Sequence, residues 1–154
     1  MDSKVATVRI VIADDHTIFR DGLRRLLEAE PELEVVGEAA DGNDAVAQIK
    51  QLNPDVLLLD LNMPRMPGME AMRELSAAGE GKNTKIIVLT AAIERIQIVQ
   101  SLQLGARGVV MKEAATQLLM KAIRTVMAGE YWIGREAVGD IVEFMRLKDR
   151  KSVV

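Results

Sequence analysis

With 154 residues, 49% of them apolar and 28% charged, the chain can form one domain with a proper hydrophobic core plus a short appendage, and its composition excludes a disordered chain. A formal net charge of −3 offers no global basic field to nucleic acid or anionic membrane, and the lack of cysteine excludes disulfides, thiol catalysis and Cys-based zinc or iron–sulfur sites. The polar start MDSKVATVRI is no signal peptide and no apolar run approaches membrane-spanning length, so a soluble cytoplasmic protein is expected.

Short apolar runs then alternate with helical periodicity. TVRIVIA (7–13) reads as a first strand; after DDHT, the residues Phe19, Leu23, Leu26 and Leu27 recur at helical spacing until Pro31 stops the helix. LEVVGEA (33–39) is a more polar strand, as suits a sheet edge, and Ala45, Val46, Ile49 and Leu52 share one face of the next helix. DVLLLD (55–60) is the third strand, and Met69, Met72 and Leu75 mark a short helix after Gly68. KIIVLT (85–90) is the fourth, with Ile96, Val99 and Leu102 lining the helix that follows. GVVMK (108–112) is the fifth, followed by Leu118, Leu119, Ala122, Ile123 and Val126 on a helix capped near Gly129. Beyond it, Val138, Ile141, Val142 and Met145 stand at helical spacing. They predict a sixth, amphipathic helix over about 136–147, with these four residues buried on the domain or on a second copy in a homodimer.

Five strand-then-helix units imply an α/β fold, a doubly wound parallel sheet with helices on both faces and an extra C-terminal helix. Right-handed crossovers make every strand point the same way, so the carboxyl ends gather along one edge, where open α/β sheets bind ligands. The first strand is closed by Asp14 and Asp15, the third by Asp60, the fourth by Thr90 and the fifth by Lys112. Three carboxylates in one crevice repel one another at low effective dielectric, and a hard divalent cation such as Mg²⁺ would relieve that. Cation and Lys112 together could hold a phosphoryl group, with Thr90 as donor and Asp60 as a carboxylate nucleophile.

IADDH, LLLDLNMPRMPG, VLTA and GVVMK resemble, in order and separation, the acidic pair, phosphoacceptor loop, Thr position and Lys position of response-regulator receiver domains. The resemblance runs from about Val8 to Gly129, and DDHTIFRDGL with GARGVVMKEA is similar to the NarL/FixJ-type class. It implies a flavodoxin-like five-stranded sheet of order 2-1-3-4-5, a receiver over 1–129 and a linker helix over 130–154. It also implies Asp60 as phosphoacceptor for a sensor histidine kinase, with Lys112 and Thr90 around the phosphoryl group. Mg²⁺ would be held directly by Asp15, Asp60 and the backbone carbonyl of Asn62, and by Asp14 through water. Members of this class usually carry a helix-turn-helix output domain, so DNA is expected to be bound through that domain and not by this chain. Three positions depart from the usual pattern: Thr17 replaces a frequent proline, Ala92 is too small to orient water, and Val109 stands where an aromatic switch residue often sits. Coupling is therefore expected to run through the 90–94 loop rather than through Val109.

Taken singly, these residues have plainer explanations. Asp at a strand end is common turn chemistry, Thr is a good β-former, and a lone Lys is a solvated strand end; the set of five argues for a site. His16 suits a helix-starting loop better than a metal, and the Met63, Met66, Met69, Met72 series suits packing better than soft-metal binding. Tyr131 and Trp132 read as anchors of the tail, and RLKDRK is balanced between solvated linker and weak interaction surface. A haloacid-dehalogenase-like phosphatase would need an Asp where Asn62 stands, and a flavodoxin-like cofactor binder would need a hydroxyl-rich cradle where Asp14 and Asp15 stand.

Overall fold

The computed structural model describes residues 7–91, 94–134, 138–139, 141–143 and 146–147. In chain order the elements are β1 (Val8–Ala13), α1 (Thr17–Glu28), β2 (Leu33–Ala39), α2 (Gly42–Leu52), β3 (Val56–Asp60) and α3 (Gly68–Ala78). They continue with β4 (Lys85–Thr90), α4 (Arg95–Gln103), β5 (Ala106–Met111), a 3-10 turn (Lys112–Ala114), α5 (Ala115–Met127) and β6 (Trp132–Ile133). The strands form one sheet of order β2-β1-β3-β4-β5-β6, every pair parallel.

Period-two alternation divides the core between the two faces. Leu57 and Leu59 of β3 join Val11, Val88 and Val109 on one face, packed against Ile49 of α2, Met72 of α3 and Ile98 of α4. Val56 and Leu58 join Ile10, Ile12, Ile87 and Val110 on the other, against Leu23 of α1 and Leu119 of α5. All five residues of β3 are buried, which explains its unbroken apolar run: a central parallel strand has no solvent face. The helix ends use ordinary local chemistry. The Asp41 carboxylate accepts the Asp44 N–H to cap α2, and Asn53 (φ 47°) and Gly79 (φ 70°) close α2 and α3 in the left-handed region.

Three expectations need correction. The sheet has six strands rather than five, because Gly108 pairs with Trp132 and Val109 with Ile133. A two-residue strand has no periodicity to read; it forms because the edge of β5 offers unpaired backbone groups. The segment after residue 129 is therefore not all helix. Its residues 138–139, 141–143 and 146–147 are helical, yet the expected buried face is not buried: Val138 is 45% and Val142 50% exposed, and only Ile141 packs partly against the core. Met145 lies outside the described residues. On α4, Ile98 and Val99 point inwards and Ile96 is 62% exposed, because its four apolar residues fit two helical phases and packing on β5 selects one.

Candidate functional site

Five strand-end residues were expected to converge, and the fold assembles them at the carboxyl edge of β1, β3, β4 and β5. Asp14 follows β1 and is fully buried; Asp60 ends β3 at 1% exposure; Thr90 ends β4 and is also buried. Lys112 starts the turn after β5 instead of ending the strand, one residue past Met111, which pairs with Thr90. Its ammonium reaches back between two carboxylates, 2.7 Å from Asp14 Oδ2 and 3.1 Å from Asp60 Oδ2.

Burial pushes the Asp60 carboxyl above the ordinary carboxylate range, since desolvation disfavours the charged form. The Asn62 N–H, donating to Asp60 Oδ1 at 3.0 Å, opposes that shift; the nearby Asp14 charge adds to it, and Lys112 counters it. Burial also pulls at the Lys112 ammonium, but its hydrogen bonds and charge interactions with Asp14 and Asp60 outweigh this and hold its pKa above normal. The site thus keeps a cation in place beside a carboxylate of raised basicity.

The oxygens of Asp14, Asp15 and Asp60, with a ring nitrogen of His16, lie within 4.8 Å of one another. Asp15 Oδ1 is buried and accepts no hydrogen bond. One ammonium among three carboxylates leaves negative charge uncompensated, and an oxygen-rich donor set of this kind suits a hard divalent cation. Asn62 is exposed two residues beyond Asp60, in the loop leading to α3. That loop is pinned by Gly68, whose N–H donates to the Leu61 carbonyl at 3.1 Å and where a Cβ would sit 2.4 Å from the Asp60 carbonyl oxygen. Only glycine allows α3 to start so close to the backbone at the end of β3.

From the sequence, His16 reads as a loop residue rather than a ligand, and Phe19 and Arg20 as ordinary helix positions, yet all three adjoin the crevice. His16 Nδ1 lies 3.1 Å from both Asp14 Oδ1 and Lys112 Nζ, closer to the centre than a loop residue needs to be. The Lys112 ammonium sits 4.9 Å from the centre of the Phe19 ring. Arg20 donates to the Asp14 carbonyl and, at 2.9 Å, to Glu38 Oε1. Their signal was weak, since Phe19 and Arg20 look like ordinary members of an amphipathic helix. Val109 is buried in the β5 core, and Ala92 lies outside the described residues.

Comparison with known proteins identifies the family of the chain and its fold. The family model for the response regulator receiver domain matches residues 10–124. The chain is 37% identical over 141 residues to the transcriptional regulatory protein DegU of Brevibacillus brevis, spanning 91% of this chain and 59% of that protein. A LuxR-family two-component response regulator from an Aurantimonas species superposes with a TM-score of 0.81 at 31% identity, covering 91% of this chain and 99% of that one. A structure of the RcsB response regulator of Salmonella typhimurium, concerned with conformational dynamism for DNA interaction, gives 0.80 at 28% identity, covering 88% and 69%. The phosphatase and flavin-binder readings fall away. The family model spans residues 10–124 and the DegU relative is 37% identical over 91% of the chain, so the chain belongs to the response regulator receiver domain family.

Proposed function

We propose that this chain is the phosphoacceptor part of a two-component regulator of transcription, with Asp60 taking a phosphoryl group from a sensor histidine kinase. The observation that carries the reading is the Lys112 ammonium seated between Asp14 and Asp60 at 2.7 and 3.1 Å, beside the uncompensated carboxylate charge. Mg²⁺ is the proposed cation; bound there, it would neutralise charge on the incoming phosphoryl oxygens and on the carboxylates. Asp15, Asp60 and the Asn62 carbonyl would hold it directly, and Asp14 through water. Asp60 forms the new P–O bond as the P–N bond of the donor breaks, with the electron pair leaving on the imidazole nitrogen. Lys112 then exchanges its bond to Asp60 for one to a phosphoryl oxygen, and Thr90 donates its hydroxyl to another. The chain catalyses only its own phosphorylation and dephosphorylation.

The chain spans 59% of the DegU relative's length, so the regulated output belongs to the proposal too. Residues 1–129 form the receiver and 130–154 the connection towards a helix-turn-helix domain, and DNA is bound through that domain. A cytoplasmic location fits, and no described helix is long and apolar enough to cross a membrane. The test is incubation with acetyl phosphate, with and without Mg²⁺, read by intact mass. A single acid-labile phosphate adduct that needs Mg²⁺ and is lost in Asp60→Asn supports the reading. An adduct of the same size on Asp60→Asn refutes the assignment.

A further inference from the structure

The loop between β3 and α3 carries one of only two non-glycine residues with positive φ among the described residues: Arg65, at φ 64°. An arginine in the left-handed region is strained, and such strain persists where surrounding contacts hold it. Here they come from α2. Arg65 Nε donates to Asp41 Oδ2 at 2.8 Å, and Arg65 Nη2 lies 2.7 Å from the same oxygen. The other oxygen, Asp41 Oδ1, already accepts the Asp44 N–H at 2.8 Å as the cap of α2. One residue on, the Gly42 N–H donates to the Met66 carbonyl at 2.8 Å, and a Cβ at Gly42 would lie 2.4 Å from that oxygen. The loop holding Asn62 is thus tied to the N-terminus of α2 by a backbone bond and a two-pronged ion pair.

An ion pair with one partner 68% exposed is ordinarily worth little, because side-chain entropy and solvent screening offset its attraction. This one differs on the carboxylate side. Asp41 is 12% exposed and fixed by its capping bond, so the guanidinium meets an acceptor that is already immobile. The hydrogen bond from Asp44 and that from Arg65 both hold the Asp41 carboxyl below the ordinary carboxylate range, so the pair is intact at neutral pH.

We infer that Arg65 is a positioning residue: clamped by Asp41, it holds the β3–α3 loop in the conformation that presents the Asn62 carbonyl to a divalent cation in the crevice. The inference rests on the proposed function, since it concerns affinity for that cation. Arg65 itself touches neither cation nor phosphoryl group. Its contribution is to keep the loop from sampling other conformations, and each unbound conformation would lower the apparent affinity in proportion to its population.

The test is a double-mutant cycle of Mg²⁺ affinity on the unphosphorylated full chain, by calorimetry and by amide shifts of Asp14, Asn62 and Lys112. Arg65→Asn tolerates positive φ but loses the guanidinium; Asp41→Asn keeps the capping oxygen but loses the charge. Each single variant is expected to bind Mg²⁺ about threefold to fivefold more weakly, the scale of one well-formed ion pair. The double variant should be no weaker than either single one, because both remove the same contact. Arg65→Lys, with the charge but not the planar fork, should recover part of the loss. Without metal, amide exchange at residues 61–66 should quicken in the single variants while melting of the whole chain is little changed. Single variants that bind Mg²⁺ as the parent does, or losses that add in the double variant, overturn the clamp and leave the proposed function intact. A parent chain that binds no Mg²⁺ overturns both.

Discussion

Asp60 is a buried carboxylate whose desolvation disfavours its charge, and that governs how the site responds to pH. Its pKa is raised first by burial and further by Asp14, so at neutral pH its charge opposes folding when no cation is present. The sign follows from linkage. Below the ordinary carboxylate value Asp60 is protonated in both folded and unfolded chains, and no penalty applies. As pH rises through that value and then through the higher folded one, the unfolded chain loses the proton first and folding weakens. Asp60→Asn, neutral at every pH, should therefore melt higher than the parent at pH 7 in EDTA, and the gap should close as pH falls to the ordinary carboxylate range. Saturating Mg²⁺ should narrow the gap at pH 7 by stabilising only the parent. A melting difference that is flat with pH would separate the stability of Asp60 from its titration.

At the scale of elements, the site depends on how closely α3 approaches the end of β3. Gly68 meets the Asp60 carbonyl oxygen and the Leu61 Cα, at 2.4 and 3.0 Å from where a Cβ would stand, and both obstacles are backbone. Gly68→Ala is expected to destabilise by about 2 kcal/mol, in the range of an overpacked core. It should also move the amide resonances of Asp60 and Asn62. Gly22, in α1, is the matched control, because a Cβ there meets nothing within 4 Å. Gly22→Ala should stabilise by about 0.5–1 kcal/mol through helix propensity alone. Urea denaturation of the two variants side by side measures both. Equal and small effects would mean that α3 can withdraw from β3 without strain.

Over the whole molecule, the two edges of the sheet differ chemically. The carboxyl edge holds the acidic crevice, whereas at the amino edge Lys82, Lys85 and Arg107 outnumber Glu80 around a hollow between α3 and β5. The added strand closes the β5 side of the sheet and joins its two layers, with Trp132 packed on the α1–α5 core and Ile133 on the α2–α4 core. Arg107 stacks 5.1 Å from the Tyr131 ring centre, although Tyr131 itself is 57% exposed, so Trp132 is the true anchor. Trp132→Ala should lower stability by about 2 kcal/mol, less than a fully buried tryptophan because this one is half-buried. Far-UV circular dichroism during urea denaturation reads this without the lost indole. A change of a few tenths would show that β6 is an ornament of the edge and not part of the core.

The amino-acid sequence by itself determined the order and kind of the long elements, because burial on one or both faces writes a period into them; β3 reads as VLLLD since both its faces are covered. It also determined which chemistry gathers at the crevice, because parallel strands bring Asp14, Asp60, Thr90 and Lys112 to one edge whatever the details of packing. Only the tertiary structure decided the rest. Two residues of β6 carry no period, and they became a strand because β5 had a free edge. The apolar residues of α4 fit two faces, and contact with β5 chose Ile98 and Val99 over Ile96. The tail's apolar stripe left Val138 and Val142 exposed, since periodicity states which residues share a face but not whether anything covers it. Arg65 and Asp41 stand 24 positions apart with nothing in either to announce the other. Long-range pairs of this kind depend on where two loops meet in space, and only the folded chain brings those loops together.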